Sequence, residues 1–545
     1  MLPGVMMNRP LLVSNVIDYA AEVHPDSQIV SSTVEGGLHR YGYRQARARI
    51  AKLANALVAG GIKPGDRVAT LAWNGYRHFE LYYAISGIGA VCHTINPRLS
   101  TEQFNYIVNH ADDQALFFDT TFAPIVEKMA PGWKSIKHYV AMTDVEHMPK
   151  LAGLKSMHCY ETVLASGADT IVWPEFDENT AAALCYTSGT TGDPKGALYS
   201  HRSSVLHALF CITGMGKGMG VGKSILPVVP MFHVNAWGLN YTAPLTGTGL
   251  VLPGPKLDGA SLFDLMDLEH PYASWGVPTV WLGLMAEMKK RGRKPVGLSE
   301  AIIGGSAAPR AMIETLEKDY DIDVVHAWGM TEMSPIGSIG RLTLDEESRP
   351  LGERVTLKTT QGHRMFGVDF KIVAEDGKRL PHDDTAQGEL FVRGNSIVSG
   401  YFNNPAASAQ ALDTDGWFGT GDVARISPRG VLTIVDRTKD LVKSGGEWIS
   451  SIDVENAALA HPGLANCAVI GVPHPKWHER PMLVAVKAAG ADPAKADILK
   501  LLESKLAKWQ LPDDIVFVDS LPLGPTGKVS KRELRARFAD HKLPE

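Results

Sequence analysis

Near its middle the chain carries the stretch Tyr186-Thr187-Ser188-Gly189-Thr190-Thr191-Gly192-Asp193-Pro194-Lys195-Gly196, directly after a short apolar run. Three glycines, four aliphatic hydroxyl groups and one lysine form a flexible loop rich in hydrogen-bond donors, the composition needed to surround phosphate oxygens. The spacing differs from a Walker A loop, because Pro194 stands before the lysine where that motif has glycine. A surface turn of Ser, Thr and Gly is the alternative, and the length of the stretch favours a phosphate-binding loop.

On both sides of this loop the pattern alternates between helical stretches and short apolar runs. Short apolar runs lie at residues 67–72 and 90–95, and those at residues 182–186, 225–229, 301–303 and 324–326 each enter a turn rich in Gly, Ser or Pro. Such alternation predicts an α/β protein, in which ligands bind at the ends of the strands. Beyond residue 371 the pattern changes to short β-like pieces, and after residue 440 to a compact α+β set.

These patterns predict a large N-terminal body at residues 1–435 that consists of several subdomains, with β-sheets flanked by helices and a β-rich subdomain at about 360–435. A boundary at residues 436–440 separates it from a small α+β C-terminal domain at residues 441–545. The length of 545 residues and the 45% hydrophobic content are those of a globular protein of more than one domain.

Charge and cysteine usage exclude several classes of protein. The 54 Lys and Arg against 59 Asp and Glu leave a net charge of −5 with no basic run, which disfavours a nucleic-acid partner. The five cysteines lie far apart without a CxxC pair, so we expect neither a disulfide framework nor a zinc site, and a cytoplasmic location. Asp18 and Glu22 interrupt the first apolar stretch, so no signal peptide is predicted.

Residues 224–255 carry no charged side chain, which raises the question of a membrane span. Proline, histidine and asparagine interrupt this segment throughout. We therefore predict a buried, loop-rich segment that lines a cavity, and no integral membrane segment.

Further motifs follow the first loop in a fixed order. They are Gly304-Gly305-Ser306-Ala307-Ala308-Pro309, Trp328-Gly329-Met330-Thr331-Glu332, Thr420-Gly421-Asp422, the stretch at residues 436–450, and Pro525-Thr526-Gly527-Lys528. Small residues after a strand let a flat ring approach the backbone closely, and an Asp after a Gly turn can accept both hydrogen bonds of a ribose diol. A lone copy of any of these would more often be an ordinary turn or a solvated surface residue.

Together these motifs resemble those of the adenylate-forming superfamily, which includes acyl-CoA synthetases, non-ribosomal adenylation domains and firefly-type luciferases. The resemblance extends from about residue 11 to residue 531. It implies a mobile C-terminal domain and binding of ATP, Mg²⁺ and coenzyme A. The residues implied in ATP binding are Thr187, Ser188, Gly189, Thr190, Thr191, Gly192, Lys195, Gly305, Ser306, Ala307, Trp328, Gly329, Met330, Thr331, Asp422 and Arg437.

The resemblance also assigns metal-binding and catalytic roles. Thr187 and Glu332 would hold Mg²⁺, and a carboxylate is the right ligand for this hard cation. Lys528 would stabilise negative charge as the acid attacks the α-phosphate, and His233 would lie near the acyl carboxylate.

Two reactions would then share one site. The acid first forms acyl-AMP, after which rotation about Lys439 brings the residues for coenzyme A into place. Those residues are Ser444, Gly445, Gly446, Glu447 and Trp448.

The identity of the acid depends on residues 230–237 and 443–450, which resemble most the bacterial medium- to long-chain fatty acyl-CoA synthetases. Methylthiopropionate-CoA ligases share both stretches, so this short acid, or a branched or aryl acid, is the alternative. Trp237, Val234 and Gly238 are the residues that we expect to line the acyl channel. The partner is therefore a small-molecule carboxylic acid.

Other classes of function use the same motifs. A carrier-protein adenylation module is disfavoured because the chain shows no attached carrier or condensation domain. A non-catalytic nucleotide-binding protein is disfavoured because Lys528, Glu332, Asp422 and Lys439 are all present. Luciferase-type oxidation begins with the same adenylation step. By resemblance we expect a homodimer.

Overall fold

The computed structural model describes residues 1–154, 157–187, 193–445, 447–525 and 527–543. Over these residues the chain forms 25 β-strands and 18 α-helices. The strands are β1 (Gln28–Ser32), β2 (Leu38–Gly42), β3 (Arg67–Leu71), β4 (Val91–Thr94), β5 (Asp113–Phe118), β6 (His138–Ala141), β7 (Met157–Cys159), β8 (Ala181–Tyr186), β9 (Gly196–Ser200), β10 (Ser224–Pro227), β11 (Gly249–Leu252), β12 (Ala273–Gly276), β13 (Glu300–Gly304), β14 (Asp323–Gly329), β15 (Ile336–Ile339), β16 (Gly362–Arg364), β17 (Val368–Val373), β18 (Gly388–Gly394), β19 (Phe418–Ile426), β20 (Val431–Arg437), β21 (Val442–Ser444), β22 (Glu447–Ile449), β23 (Leu464–His474), β24 (His478–Lys487) and β25 (Asp514–Phe517).

The helices alternate with the strands through most of the chain, as the sequence pattern predicts. They are α1 (Val13–Val23), α2 (Tyr43–Ala59), α3 (Tyr76–Gly87), α4 (Thr101–Ala111), α5 (Ala123–Met129), α6 (Tyr160–Ala165), α7 (His201–Met215), α8 (Val234–Trp237), α9 (Leu239–Thr246), α10 (Gly259–Glu269), α11 (Pro278–Arg291), α12 (Arg310–Tyr320), α13 (Leu344–Glu347), α14 (Leu351–Lys358), α15 (Pro405–Ala411), α16 (Ser451–Ala458), α17 (Lys495–Glu503) and α18 (Lys531–Arg537).

Two large sheets form the N-terminal body. One has the order β7-β6-β5-β3-β4-β8-β9, and the other has the order β17-β18-β19-β20-β16-β15-β14-β13-β12-β10-β11-β1-β2. Strands β1, β11, β10, β12, β13 and β14 run parallel, and their apolar side chains are buried on both faces, as parallel sheets require. The predicted α/β class is therefore confirmed.

One apolar core joins the two sheets. Helix α3 lies entirely buried between them, and its Tyr82 and Tyr83 share a single hydrophobic cluster with Trp275 and Ile302 of the larger sheet. The two sheets are therefore packed together through α3 and share one hydrophobic core.

The uncharged segment at residues 224–255 is buried and consists of β10, a loop, α8, α9 and β11. Its interior position agrees with the predicted buried, loop-rich segment. Among the described residues, no helix is both long and apolar enough to cross a bilayer.

The small domain has its own sheet, in the order β22-β21-β24-β23, with β25 beside β24. Strand β20 is the last strand of the larger sheet in chain order and ends at Arg437. The next strand, β21, belongs to the small sheet and begins at Val442. The predicted hinge at 436–440 thus comprises the last two residues of β20 and the first three of the connection to β21, whereas motion about it stays a prediction. Strands β16–β20, in the predicted β-rich subdomain, continue the larger sheet.

Candidate active site

The phosphate-binding loop predicted from the sequence begins where β8 ends. The amide of Thr187 donates to the carbonyl of Lys195 at 2.8 Å, and the amide of Lys195 donates to the Thr187 hydroxyl oxygen at 3.3 Å. These bonds close the base of the loop as a continuation of the β8–β9 pair. Ser188, Gly189, Thr190, Thr191 and Gly192 lie outside the described residues.

Lys195 and Glu332 meet at an aromatic side chain that the sequence motifs did not indicate. The Lys195 ammonium lies 5.0 Å from the ring centroid of Tyr401, and the Tyr401 hydroxyl donates to Glu332 Oε1 at 2.7 Å. A cation over an aromatic face is attracted to the ring's negative face. Tyr401 thus connects the first loop with the motif that carries Glu332.

Glu332 is a buried carboxylate on which burial acts more strongly than any neighbouring group. It is 6% exposed, and burial raises the pKa of this carboxyl group, whereas the hydrogen bond from Tyr401 and the charges of Arg437 and Lys195 lower it. The amide of Val398 donates to the Glu332 carbonyl at 2.9 Å and fixes the backbone. A bound cation would therefore be favoured here.

The two predicted ligands, Glu332 and Thr187, would supply only part of the coordination shell of Mg²⁺. No group of three or more His, Cys, Asp or Glu within the described ranges could hold a metal ion. Mg²⁺ characteristically takes one or two carboxylates together with phosphate oxygens and water, so Glu332 fits it when nucleotide phosphates are present. The second predicted ligand, Thr187, has its hydroxyl oxygen occupied by the Lys195 amide.

Asp422 is held in place by two of the other predicted residues. Its Oδ2 accepts a hydrogen bond from the indole Nε1 of Trp328 at 3.0 Å, and its Oδ1 forms an ion pair with Arg437 Nε at 2.7 Å. The Asp422 carboxylate is buried and raises the pKa of Arg437. The rigid carboxylate offers its remaining lone pairs to a diol, which suits the predicted contact with ribose.

The segment after β13 brings backbone rather than side chains to the site. A Cβ on Gly304 would lie 2.7 Å from the Ala327 carbonyl oxygen and 3.0 Å from Trp237 Cη2, so only glycine fits there. Gly305 has a φ of +83° and would place a Cβ 3.4 Å from Lys528 Cε. Ser306 and Ala307 follow. The neighbouring strand β14 ends at Gly329, and after Met330 the carbonyl of Thr331 accepts a hydrogen bond from the Tyr199 hydroxyl at 2.6 Å.

Lys528 reaches this segment from the small domain. The Asn96 side chain donates to the Pro525 carbonyl at 3.1 Å and the Thr279 hydroxyl to the Gly527 carbonyl at 3.3 Å, which ties the lysine's turn to the large body. Burial, with the charges of Arg437 and Lys439, lowers the pKa of Lys528 from its ordinary 10.5 to about 8, while Asp422 opposes the shift. Cations packed this closely favour an anionic ligand.

His233 and Lys439 both interact electrostatically with Lys528. Burial and the charge of Lys528 lower the pKa of His233 to about 4, so this imidazole is neutral near pH 7. Burial also lowers the pKa of Lys439. His233 can therefore act as a hydrogen-bonding group and not as a cation.

The residues predicted for coenzyme A are not brought to Lys528. Ser444 Oγ accepts a hydrogen bond from Arg480 at 3.0 Å, and the amide of Gly445 donates to the Trp477 carbonyl at 2.9 Å, both within the small domain. Glu447 pairs with Ser444 across β21 and β22, and the Lys443 ammonium lies over the Trp448 ring. Gly446 lies outside the described residues.

The predicted acyl-channel residues form an unusual turn. Val234, Asn235, Ala236 and Trp237 all have φ between +46° and +56°, and Gly238 has a φ of +82°. The Trp237 side chain is 8% exposed, and its ring centroid lies 6.4 Å from that of Trp275. With Gly304 on its other side, the indole fills the space next to the segment that follows β13.

Sequence reasoning did not identify Tyr199 or Tyr401 as parts of this site. Each is a single residue outside the recognised motifs, and only the packing of the two sheets places it against them. No local pattern around these positions could have indicated them.

Known protein families, relatives and solved structures match nearly the whole length of this chain. The family model described as AMP-binding enzyme matches residues 17–402, and that described as AMP-binding enzyme C-terminal domain matches residues 453–528. A 3-methylmercaptopropionyl-CoA ligase of Ruegeria lacuscaerulensis is 50% identical, covering 98% of this chain and 99% of the relative. A medium-chain-fatty-acid–CoA ligase of Ectopseudomonas oleovorans is 43% identical, covering 98% of each chain. The crystal structure of ATP-bound MatB from Rhodopseudomonas palustris is 26% identical with a TM-score of 0.80, covering 97% of this chain and 99% of that one.

Proposed function

Because this chain belongs to the AMP-binding enzyme family and is an AMP-forming acid–CoA ligase, we propose that its acid is an unbranched, apolar monocarboxylic acid of short to medium chain. 3-Methylmercaptopropionate belongs to that class. The observation that carries the proposal is the position of the Trp237 indole against Gly304 and Trp275.

The surroundings of Trp237 are apolar and closed. Val234, Ala236 and Trp237 belong to one buried hydrophobic cluster with Met333 and Ile336. An acid with a charged or strongly polar tail would lose its hydration there without a compensating partner. The 50% identity to a 3-methylmercaptopropionyl-CoA ligase favours a short or medium tail over a long one.

The chemistry follows from the charges around Lys528. In the first step a carboxylate oxygen of the acid attacks the α-phosphorus of ATP, which gives acyl-AMP and releases pyrophosphate. The cationic Lys528 offsets the negative charge that gathers on the α-phosphate, and the Asp422 carboxylate holds the ribose. When bound, Mg²⁺ on Glu332 would neutralise phosphate charge. In the second step the thiol of coenzyme A displaces AMP and forms the thioester.

The second step would require the small domain to turn about Lys439. Lys528 occupies the site in the present arrangement, and the segment at 444–448 bonds within its own domain. Rotation would break the bonds from Asn96 and Thr279 and would keep the ion pair of Arg535 with Asp440, since both of its members lie beyond Lys439. The predicted hinge role of Lys439 and the predicted homodimer stay proposals.

A medium- to long-chain fatty acid, as predicted from the sequence, is the second candidate. The 43% identity to a medium-chain-fatty-acid–CoA ligase favours it. Binding of the longer members would require the Trp237 indole to leave Gly304 and open the space behind it.

The test is acid-dependent release of AMP with ATP, Mg²⁺ and coenzyme A. Straight-chain acids from acetate to stearate are compared with 3-methylmercaptopropionate and benzoate. Highest kcat/KM for short and medium apolar acids supports the proposal, and a maximum at stearate supports the second candidate. Absence of AMP release with every acid would contradict both.

A further inference from the structure

Asn74 joins the two large sheets beside the site. It follows β3 of the smaller sheet, and its own carbonyl accepts a hydrogen bond at 3.0 Å from the amide of Gly254, which follows β11 of the larger one. The Asn74 carboxamide is 4% exposed and is used fully on one segment of backbone. Its Nδ2 donates to the carbonyls of Pro227 at 2.8 Å and Val229 at 2.9 Å, and its Oδ1 accepts from the amide of Met231 at 2.6 Å.

This segment leads directly into the candidate acyl site. It leaves β10 at Pro227 and reaches His233 after six residues. A second group from the smaller sheet's side holds the same segment, because the Tyr82 hydroxyl of the buried helix α3 donates to the Met231 carbonyl. Met231 is therefore fixed through both its amide and its carbonyl.

The turn that follows needs such support, because its backbone is strained. Four consecutive residues other than glycine, Val234–Trp237, hold left-handed φ values, and each such residue costs about 1 kcal/mol or more relative to the right-handed form. At its far end the turn rests on His207, whose ring would lie 2.8 Å from a Cβ on Gly238. His207 Nε2 in turn accepts a hydrogen bond from the Ile336 amide at 3.0 Å.

We propose that Asn74 is a positioning residue for the carboxylic acid. Through Pro227, Val229 and Met231 it holds the backbone that presents His233 and the Trp237 turn, and so determines how the acid is seated. Its contacts do not extend to the ribose and phosphate side, where Asp422, Arg437 and Glu332 lie. The inference rests on the proposed function, because it assigns the acid to the Trp237 side of the site.

Two substitutions separate this role from general stability. Asn74→Ala removes all three hydrogen bonds, whereas Asn74→Asp keeps the shape and one acceptor but turns a carboxylate oxygen toward the carbonyls of Pro227 and Val229. We expect the KM for the acid to rise in both variants, so that kcat/KM for the acid falls about ten- to a hundredfold, the range for a small misplacement of a substrate. The KM for ATP should stay within about twofold, because its binding groups do not touch Asn74.

Asn109 offers a matched control. Its carboxamide makes the same kind of triple contact, donating to the carbonyls of Asn105 at 2.9 Å and Gly132 at 3.1 Å and accepting from the amide of Lys134 at 3.2 Å. It lies on α4, away from the 227–233 segment. Asn109→Ala should leave the KM values for acid and ATP unchanged.

The second support supplies a milder variant in case Asn74 substitutions do not fold. Tyr82→Phe removes only the hydroxyl that holds Met231 and should raise the KM for the acid in the same direction, without a change for ATP. Equal changes in the KM for acid and for ATP, or no change in either, would overturn the proposal.

Amide hydrogen exchange supplies a readout that does not depend on turnover. The amides of Met231 and His233 should exchange faster in Asn74→Ala than in the wild type, while those of β12 stay protected. Unchanged exchange at Met231 would overturn the inference even if every acid proved inactive. Faster exchange combined with no turnover in the wild type would instead contradict only the proposed function.

Discussion

Replacing Lys528 with methionine should make the protein more stable and far less active. The side chain is partly buried among Arg437 and Lys439, and its pKa falls from 10.5 to about 8. A shift of one pKa unit corresponds to about 1.4 kcal/mol. The lowering therefore means that the protonated Lys528 reduces the free energy of unfolding by at most about 3 kcal/mol. Partial exposure makes the actual gain in Lys528→Met smaller.

Whether the protonated Lys528 destabilises the fold can be checked from the pH dependence of the free energy of unfolding. The unfolded chain binds more protons than the folded one between pH 8 and 10.5, so the stability of the wild type should rise with pH across that interval. Lys528→Met should be more stable than the wild type at pH 7 and should lose this advantage by about pH 10. Denaturant unfolding at several pH values measures both effects.

The loss of activity should be confined to one half-reaction. Removing a group that stabilises charge in the transition state typically costs about 10²- to 10³-fold in rate, so acid-dependent exchange of pyrophosphate into ATP should fall by that factor. Thioester formation from supplied acyl-AMP and coenzyme A should change by less than about threefold. In the wild type, kcat/KM for ATP should fall about tenfold per pH unit above pH 8, and in Lys528→Arg this decline should disappear.

Two results would refute this reasoning. Equal loss of both half-reactions in Lys528→Met would show that the lysine does not serve adenylation specifically. A variant less stable than the wild type at pH 7 would show that the cation is not held there at a cost in free energy.

Three other substitutions test the remaining parts of the site. Trp237→Ala should raise kcat/KM for acids longer than the preferred one by about tenfold, because in the proposed function the indole limits the length of the acid tail, and an unchanged chain-length profile would contradict this. Asp422→Asn should raise the KM for ATP about tenfold or more, because it breaks the ion pair with Arg437, while the KM for the acid stays constant. Gly238→Ala should destabilise the fold by about 2 kcal/mol, measured by thermal unfolding, because φ is +82° and the new Cβ meets the ring of His207.

Much of the site was predictable because its motifs are local in the chain. The glycines at 304 and 305 could be recognised as a place of close approach, and the structure shows why no side chain fits at Gly304. Asp422 and Arg437 were predicted on separate motifs, and they meet because β19 and β20 pair in antiparallel register. In each case a short stretch with its own composition carries the signal.

Other features depend on packing between distant parts of the chain. Tyr401 lies 69 residues from Glu332, and Asn74 lies 157 residues from Met231, so nothing in the local sequence relates the members of either pair. The left-handed turn at Val234–Trp237 contains no glycine, and the sequence therefore offered no sign of its backbone form. It is surrounded by a buried cluster and by His207, and the segment that leads into it is held by the hydrogen bonds from Asn74 and Tyr82.

The sequence alone determined the reaction class, because phosphate, ribose and carboxylate chemistry require particular residue types at short spacings along the chain. The tertiary structure decided which of two segments faces the site. The turn with Lys528 lies against Gly305, while Gly445 bonds to Trp477 within the small domain. That choice depends on how one domain docks on another through hydrogen bonds such as those of Asn96 and Thr279, and such long-range contacts have no signature in local composition.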